Sequence, residues 1–556
     1  MGSGVSWSTW LILAVAVAVG AYWRVDGLGE LPLIGDEFHS LNVVDKDYAT
    51  ILRTYDCDIT HMSLPLLQRA GQDLFGPGVL VFRLLAIVPG LLALACCYPV
   101  ARSLVGRAPA LLTTCALAAS TPHIFYSRLA RTYALTVLLA LLLVGALQLA
   151  VRMADRPRWA RWLAWTGVTL LAGVLPYAHL STLGLVGTMA LASLWQAWTV
   201  RRRPGDVLTP LVSFGLAACV TVLLYLPAWE LLSANLYRCE GGGSPGPVSP
   251  MDVAMLLAGG HAAGFVGIAL LPVAAVAMIM FKRRSGIWLT AAVGGTLVFV
   301  LASRPHTMAY GYTRFLLIVL PFMLMLVSWL IVAVVGRVVS NVAWAEHVAL
   351  GSGIAAIAAT YLTGPMAPWR PDDGPFSNTY LAMKALPTFD VPYPQTPPFY
   401  EALAADPRPL RIIETPTLRS RAVLLYRNYY LQHGKKTLLG WDRGKVATLR
   451  SKPYVHVADL EFAKNSGADY LILHHMVQVE LYRYWQFVHE EAWPSQYRPA
   501  DANLMFRHRT HHQAHLTNPA ISLTFLIEQW RNLLGEPIYR DDLIAVWQLR
   551  EDLGPG

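Results

Sequence analysis

Long apolar runs joined by short polar connections fill the first two-thirds of the chain. Taking runs of roughly 17–25 apolar residues as long enough to cross a bilayer, the pattern predicts about eleven spans. They fall at residues 7–23, 79–101, 108–124, 133–151, 162–179, 183–199, 208–230, 253–280, 286–302, 314–335 and 346–363. Two stretches break the pattern. Residues 31–78 are charged, with apolar positions at helical spacing from Phe38 to Leu52 and from Leu64 to Phe75, which predicts surface helices on a long loop. Beyond residue 364 the hydropathy falls, and a Pro-rich passage from Pro365 to Pro398 leads into short strand-like runs at 410–414, 421–426, 454–457, 470–474 and 543–549. Helical patterns near 459–466, 478–490 and 521–534 alternate with them. The expectation is a polytopic α-helical membrane domain over residues 1–364 and an α/β domain over 365–556.

Composition supports this reading: 55% of residues are hydrophobic and 14% charged, well below the charge content of an ordinary soluble domain. Orientation is set by where short loops keep Lys and Arg. Arg102 and Arg107, then Arg152, Arg156, Arg158 and Arg161, then Arg201–Arg203, then Lys282–Arg284 alternate with loops poor in basic residues. The basic loops are expected to be cytoplasmic. That places Asp36, Glu37, Arg131 and everything after residue 364 on the extracytoplasmic side. The start of the first span carries no Lys or Arg, so it reads as an uncleaved helix rather than a signal peptide. The net charge of +9 resides in the membrane half, with 23 basic and 15 acidic residues up to 364 against 21 and 20 afterwards. Such an excess reflects topology and implies no nucleic-acid partner. Of the six cysteines only Cys57 and Cys239 fall in predicted outer loops; they are either a disulfide pair or two unrelated thiols.

The candidate chemistry clusters on the outer side. Asp36 and Glu37 follow Leu33-Ile34-Gly35, where a partly desolvated carboxylate suits a general base; seen alone, the pair reads more readily as an ordinary solvated loop acid. His61 is as ambiguous. Arg128 and Arg131, three residues apart between two apolar runs, either grip a phosphate or snorkel to lipid headgroups. Arg304, His306, Tyr310, Tyr312 and Arg314 form a third basic and aromatic group, matching either a phosphate and sugar site or an interfacial belt. In the α/β region, His511 with His515 and the pair His474-His475 are weak metal-ligand patterns without a completing Glu.

Taken in order, these residues resemble the GT-C superfamily of extracytoplasmic glycosyltransferases, which includes the bacterial family 39 enzymes, protein O-mannosyltransferases and lipid A aminoarabinose transferases. The resemblance runs from Asp36-Glu37 through His61-Met62-Ser63-Leu64-Pro65-Leu66, Leu74-Phe75-Gly76, Arg83-Leu84 and Pro122-His123 to Tyr126-Ser127 and Ala130-Arg131-Thr132-Tyr133-Ala134-Leu135. Two departures stand out. His61-Met62-Ser63-Leu64 replaces the usual His-Pro-Pro-Leu, and Ser127-Arg128-Leu129-Ala130-Arg131 replaces Ser-Gln-Glu-Ala-Arg, so Leu129 stands where a Glu is common. The resemblance implies a GT-C fold at a bacterial inner membrane and an inverting transfer of sugar from a polyprenyl-phosphate donor to an acceptor hydroxyl on a glycan, lipid or protein. Asp36 and Glu37 would be catalytic, and His61, Arg128, Arg131, Tyr133, His306, Tyr310 and Arg314 would bind donor phosphate and substrate. It implies no required cofactor; an Asp-Glu pair can hold a divalent ion, but the family chemistry implied is metal-free.

A different class competes: a transporter or flippase for a lipid-linked glycan, or a non-catalytic scaffold. Transporters keep ionisable residues near mid-membrane. Here the predicted spans are nearly free of them, with Glu230 near an end, which favours interfacial chemistry.

Overall fold

The computed structural model describes residues 7–26, 28, 37, 43–44, 46–55, 63–76, 78–201, 204–235, 250–259, 262–303, 309–339, 347–348, 350–355, 357–358, 396–415, 435–439, 466–474, 527–528 and 530–550. They pack as two compact units. The first takes in Met1–Leu28, His39–Phe75 and Leu80–Lys384, the second Gly29–Phe38, Gly76–Val79 and Ala385–Gly556.

The first unit is helical because a single apolar segment in lipid can satisfy its backbone only within itself. Its α-helices are α1 (Trp7–Val25), α2 (Tyr48–Arg53), α3 (Ser63–Phe75), α4 (Val79–Val105), α5 (Arg107–Ala119), α6 (Thr121–Arg128), α7 (Tyr133–Arg152), α8 (Arg158–Ala178) and α9 (Leu183–Gln196). They continue with α10 (Pro204–Tyr225), α11 (Trp229–Asn235), α12 (Pro250–Leu257), α13 (Ala262–Ala269), α14 (Leu271–Phe281), α15 (Arg283–Ser303), α16 (Ala309–Leu316) and α17 (Leu320–Val338). Among the described residues six segments are long and apolar enough to cross a membrane: Val79–Val105, Tyr133–Asp155, Leu180–Thr199, Val207–Ala234, Arg283–Ser303 and Tyr312–Val338. Thr9–Val25 and Leu271–Phe281 are shorter apolar helices. The chain is an integral membrane protein.

Some expected spans are not single α-helices: 208–230 and 314–335 each pass through a short 3-10 turn, at Leu226–Ala228 and Leu317–Val319, and two others are broken outright. The run 108–124 divides into α5 and α6 at Ser120, which is extended (ψ 112°) with a proline following in the first turn of α6. Proline starts a helix readily but cannot continue one. The run 253–280 divides into α12, α13 and α14. Gly259, at φ +75°, closes α12 in the left-handed region open to glycine, and a Cβ there would lie 2.9 Å from Thr121 Cβ. The α12 turn therefore presses on the start of α6. Apolar length alone registers neither break.

Burial separates centre from rim. The windows in Tyr133–Asp155 and Tyr312–Val338 are 56% and 67% buried, that in Val207–Ala234 only 17%, so α7 and α17 are central and α10 faces outward. Lipid removes the hydrophobic drive between helices, and close packing replaces it. Along α9 and α15, a Cβ on Gly295 would meet Thr188 Cβ at 2.8 Å and one on Gly184 would meet Phe299 Cγ at 2.9 Å. Larger residues would push these helices apart.

The second unit holds a five-stranded sheet in the order β2-β1-β3-β5-β4, with β1 (Arg411–Thr415), β2 (Lys436–Leu439), β3 (Tyr470–His474), β4 (Tyr539–Arg540) and β5 (Ile544–Gln548). β1 runs parallel to β2 and β3, while β5 is antiparallel to β3 and β4. Alternation along the strands divides the core. Ile412, Tyr470, Ile472, Ile544 and Val546 pack with Tyr400 and Leu403 of α18 (Pro398–Ala405), and Ile413, Leu471, Leu473, Ala545 and Trp547 with Ile527 and Trp530. The expected strands at 421–426 and 454–457 lie outside the described residues.

Candidate active site

Four arginines near the junctions of α1, α4, α6 and α7 are buried: Arg24, Arg83, Arg128 and Arg131. Guanidiniums withdrawn from water need acceptors, and three have them. Arg24 Nη1 donates to the carbonyls of Gly20 (2.7 Å) and Ala118 (3.2 Å), and Nη2 lies 3.3 Å from Leu117 O and 2.7 Å from His123 Nδ1. Two of these carbonyls belong to the last turn of α5, where Leu117 O already accepts from the capping Ser120 N–H at 3.3 Å and shares itself with Arg24. Arg83 donates to Leu28 O at 2.9 Å and Arg128 to Trp23 O at 2.8 Å. Burial, with Arg83 close by and Asp26 opposing, lowers the Arg128 guanidinium to about 10, so it remains charged at neutral pH.

Arg131 differs. It sits in the non-helical break between α6 and α7, where its N–H closes a tight turn on Leu129 O at 2.6 Å. It is 4% exposed; its Nε, like those of Arg24 and Arg128, meets no acceptor, and among the described residues its guanidinium makes neither a hydrogen bond nor an ion pair. The break is held from outside by Gln68 of α3, whose Nε2 lies 3.4 Å from Ala130 O. It is held from behind by close packing of α4 on α6, where a Cβ at Gly90 would lie 2.7 Å from Ser127 Cβ.

An aromatic chain leads away from the break. Tyr126 and Tyr133 meet at 4.9 Å, Tyr133 and His179 at 5.9 Å, His179 and Phe315 at 5.2 Å, and the Arg314 guanidinium lies 5.2 Å from the Phe315 ring centre. Arg131 and Tyr133 are thus joined to Arg314, a candidate some 180 residues away in sequence, through two side chains the sequence did not single out. His179 keeps its ring orientation through Ser181, whose N–H and hydroxyl lie 3.1 and 2.8 Å from Nδ1. Such a wall offers cations and ring faces, suited to phosphate and to a sugar.

Of the remaining candidates, Glu37 is buried and belongs to the second unit. Asp36, His61, His306, Cys57 and Cys239 lie outside the described residues, as do His475, His511, His515 and the side chain of Tyr310. Among the described residues no three metal-ligating side chains come together. Arg24, Arg83, His123, His179 and Gln68 were not among the candidates. A sequence signal existed for three: Arg24 borders an apolar run, Arg83 lies inside one, and Arg83 and His123 both stand in the stretch that carries the family resemblance.

Solved structures share this architecture. ArnT from Cupriavidus metallidurans in the apo state aligns with a TM-score of 0.51 over 85% of this chain and 93% of its own, at 16% identity. ArnT of the same organism bound to undecaprenyl phosphate aligns with a TM-score of 0.52 over 86% and 95%, again at 16%. The chain has a GT-C fold. The Archaeoglobus fulgidus oligosaccharyltransferase tethered to an acceptor peptide gives a TM-score of 0.47 at 13% identity, covering 86% of this chain and 70% of its own. No protein-family model matches the sequence, and no curated protein matches it. At this identity the GT-C likeness is one of fold, and the chemistry rests on the chain's own residues.

Proposed function

We propose that the chain is an inverting glycosyltransferase that moves a sugar from a polyprenyl-phosphate donor to an acceptor hydroxyl at the extracytoplasmic face of a bacterial inner membrane. The observation that carries this is Arg131: a buried guanidinium with no hydrogen bond or ion pair among the described residues, at a helix break, in a fold shared with a protein solved bound to undecaprenyl phosphate. A cation kept buried and uncompensated costs stability, and an anionic ligand would offset that cost.

In the reaction the acceptor oxygen attacks the anomeric carbon, the bond from that carbon to the phosphate oxygen breaks, and its electron pair stays on the departing lipid phosphate. Arg131, with Arg128 and Arg314, stabilises that charge. A phosphate is a weak base, so cations replace a general acid. Asp36 takes the acceptor's proton and Glu37 orients the acceptor, roles drawn from the sequence resemblance. His61, Tyr133, His306 and Tyr310 contribute to donor binding on the same grounds. The acceptor is a glycan, lipid or protein hydroxyl, and no metal is needed.

The test is transfer of labelled sugar from a panel of polyprenyl-phosphate sugars to membrane acceptors by purified wild type, Asp36→Asn and Arg131→Gln, with and without chelator. Transfer by wild type alone, indifferent to chelator, supports the reading. Well-folded protein that consumes no donor across the panel overturns it in favour of a transporter or scaffold.

A further inference from the structure

A second basic site lies at the other end of the bundle. α7 begins at Tyr133, beside Arg131, and ends at Arg152; at 1.5 Å per residue its ends are about 29 Å apart, close to the thickness of a bilayer's hydrocarbon core. At the Arg152 end a cavity of about 300 Å³ is lined by Arg152, Arg161, Arg284, Asp155, Trp165 and Gln196. It forms where α7 and α9 end and α8, α10 and α15 begin.

Three arginines against one acid leave the wall positive. Arg152 donates to Ser103 O at 3.2 Å and Arg161 approaches Ala154 O at 3.5 Å, so backbone carbonyls position these guanidiniums without neutralising them. Gln196 is 5% exposed. Its Oε1 accepts from Trp288 Nε1 at 2.7 Å, and among the described residues its Nε2 donors meet no partner. α9 leaves the site through a π-helical turn, Ala197–Arg201, a widened geometry that recurs at functional sites. Trp159, Trp162 and Trp198 project from the same end of the bundle, each about 70% exposed, as tryptophans do at headgroup depth. Arginines that merely set topology would need neither a shared cavity nor a fixed buried amide.

We propose that this cavity binds a phosphate group carried on the headgroup of an anionic membrane phospholipid. A soluble phosphate offers the same chemistry, and the arms of the test separate the two sources. Full-length protein in detergent is examined by native mass spectrometry and thermal melting with phosphatidylglycerol, with phosphatidylcholine and with inorganic phosphate. Retained phosphatidylglycerol and a raised melting temperature are expected. Arg152→Gln with Arg284→Gln should weaken binding by about tenfold or more, as loss of charge-assisted hydrogen bonds implies. Ala154→Trp, which fills the cavity and keeps the arginines, should abolish it. Equal protection by inorganic phosphate, with displacement of the lipid, retains the phosphate site and assigns it a soluble ligand. Equal retention of phosphatidylcholine, or unchanged phosphatidylglycerol binding in both the arginine and the cavity variants, overturns the proposal. None of these readouts depends on glycosyl transfer.

Discussion

The guanidinium of Arg24 lies 2.7 Å from Nδ1 of His123, joining the first helix to the α5–α6 junction. A guanidinium only donates, so Nδ1 accepts, and the imidazole is the neutral tautomer with its proton on Nε2. The pair ties three helix ends together behind Arg128 and Arg131.

Replacing Arg24 by Leu should therefore destabilise the fold rather than act on chemistry alone. It strips donors from Ala118 O and His123 Nδ1, and weakens the shared carbonyls of Gly20 and Leu117; a buried group left without a partner costs about 1–3 kcal/mol. A markedly lower melting temperature in detergent is expected; an unchanged melt would show that this network is not structural.

Arg131 predicts the opposite balance. With no hydrogen bond or ion pair to lose among the described residues, Arg131→Gln should leave the melting temperature unchanged or raise it, while transfer falls by roughly a hundredfold or more, as for loss of a charge-stabilising donor. Arg131→Lys should restore only part, because an ammonium cannot present a fork to phosphate. Melting curves and initial rates on the same preparations separate this from simple misfolding.

Gly90→Ala tests the support beneath the break. The added methyl would stand 2.7 Å from Ser127 Cβ, so α6 must shift, at a cost of about 1–3 kcal/mol for overpacking. Lower stability together with a raised KM for donor is expected. Gly167→Ala, where no atom lies within 4 Å of the added methyl, serves as the neutral control.

The second unit carries its own pH signature. Burial holds the Glu414 carboxyl well above its usual value of 4.5, although the Tyr400 hydroxyl, donating at 2.7 Å, opposes this; His474 Nε2 is 3.6 Å away. Native Glu414 keeps its proton where the unfolded chain has lost it, so its contribution to stability falls as pH rises from about 4.5 towards the raised native value. Glu414→Gln should flatten that part of the pH dependence and stabilise the protein at neutral pH. Thermal melts of both proteins across the range provide the measurement, and parallel curves would refute the assignment.

Much of this fold is legible in the sequence because lipid imposes one rule on every span. The runs 7–23, 79–101, 133–151, 286–302 and 314–335 coincide with α1, α4, α7, α15 and α16–α17 to within several residues, and the strands at 410–414, 470–474 and 543–549 with β1, β3 and β5. The divisions at Ser120 and Gly259 escape a reading by apolar length, since each turns on one residue's backbone conformation. In the candidate site, Arg131 and Tyr133 stand in a local motif and were readable. His179 and Phe315 come from distant helices and meet Tyr133 only through packing, and Arg24 finds His123 across 99 positions. No local pattern encodes such pairings.

That separation also sets an order of events during synthesis. The acceptors of Arg24 at Leu117, Ala118 and His123 are made 93–99 residues after it. At about 5–20 residues per second, the first helix must wait on the order of ten seconds before its arginine can be enclosed. Until then the guanidinium lacks these acceptors, so the buried network around Arg24 closes only after the α5–α6 segment has been made.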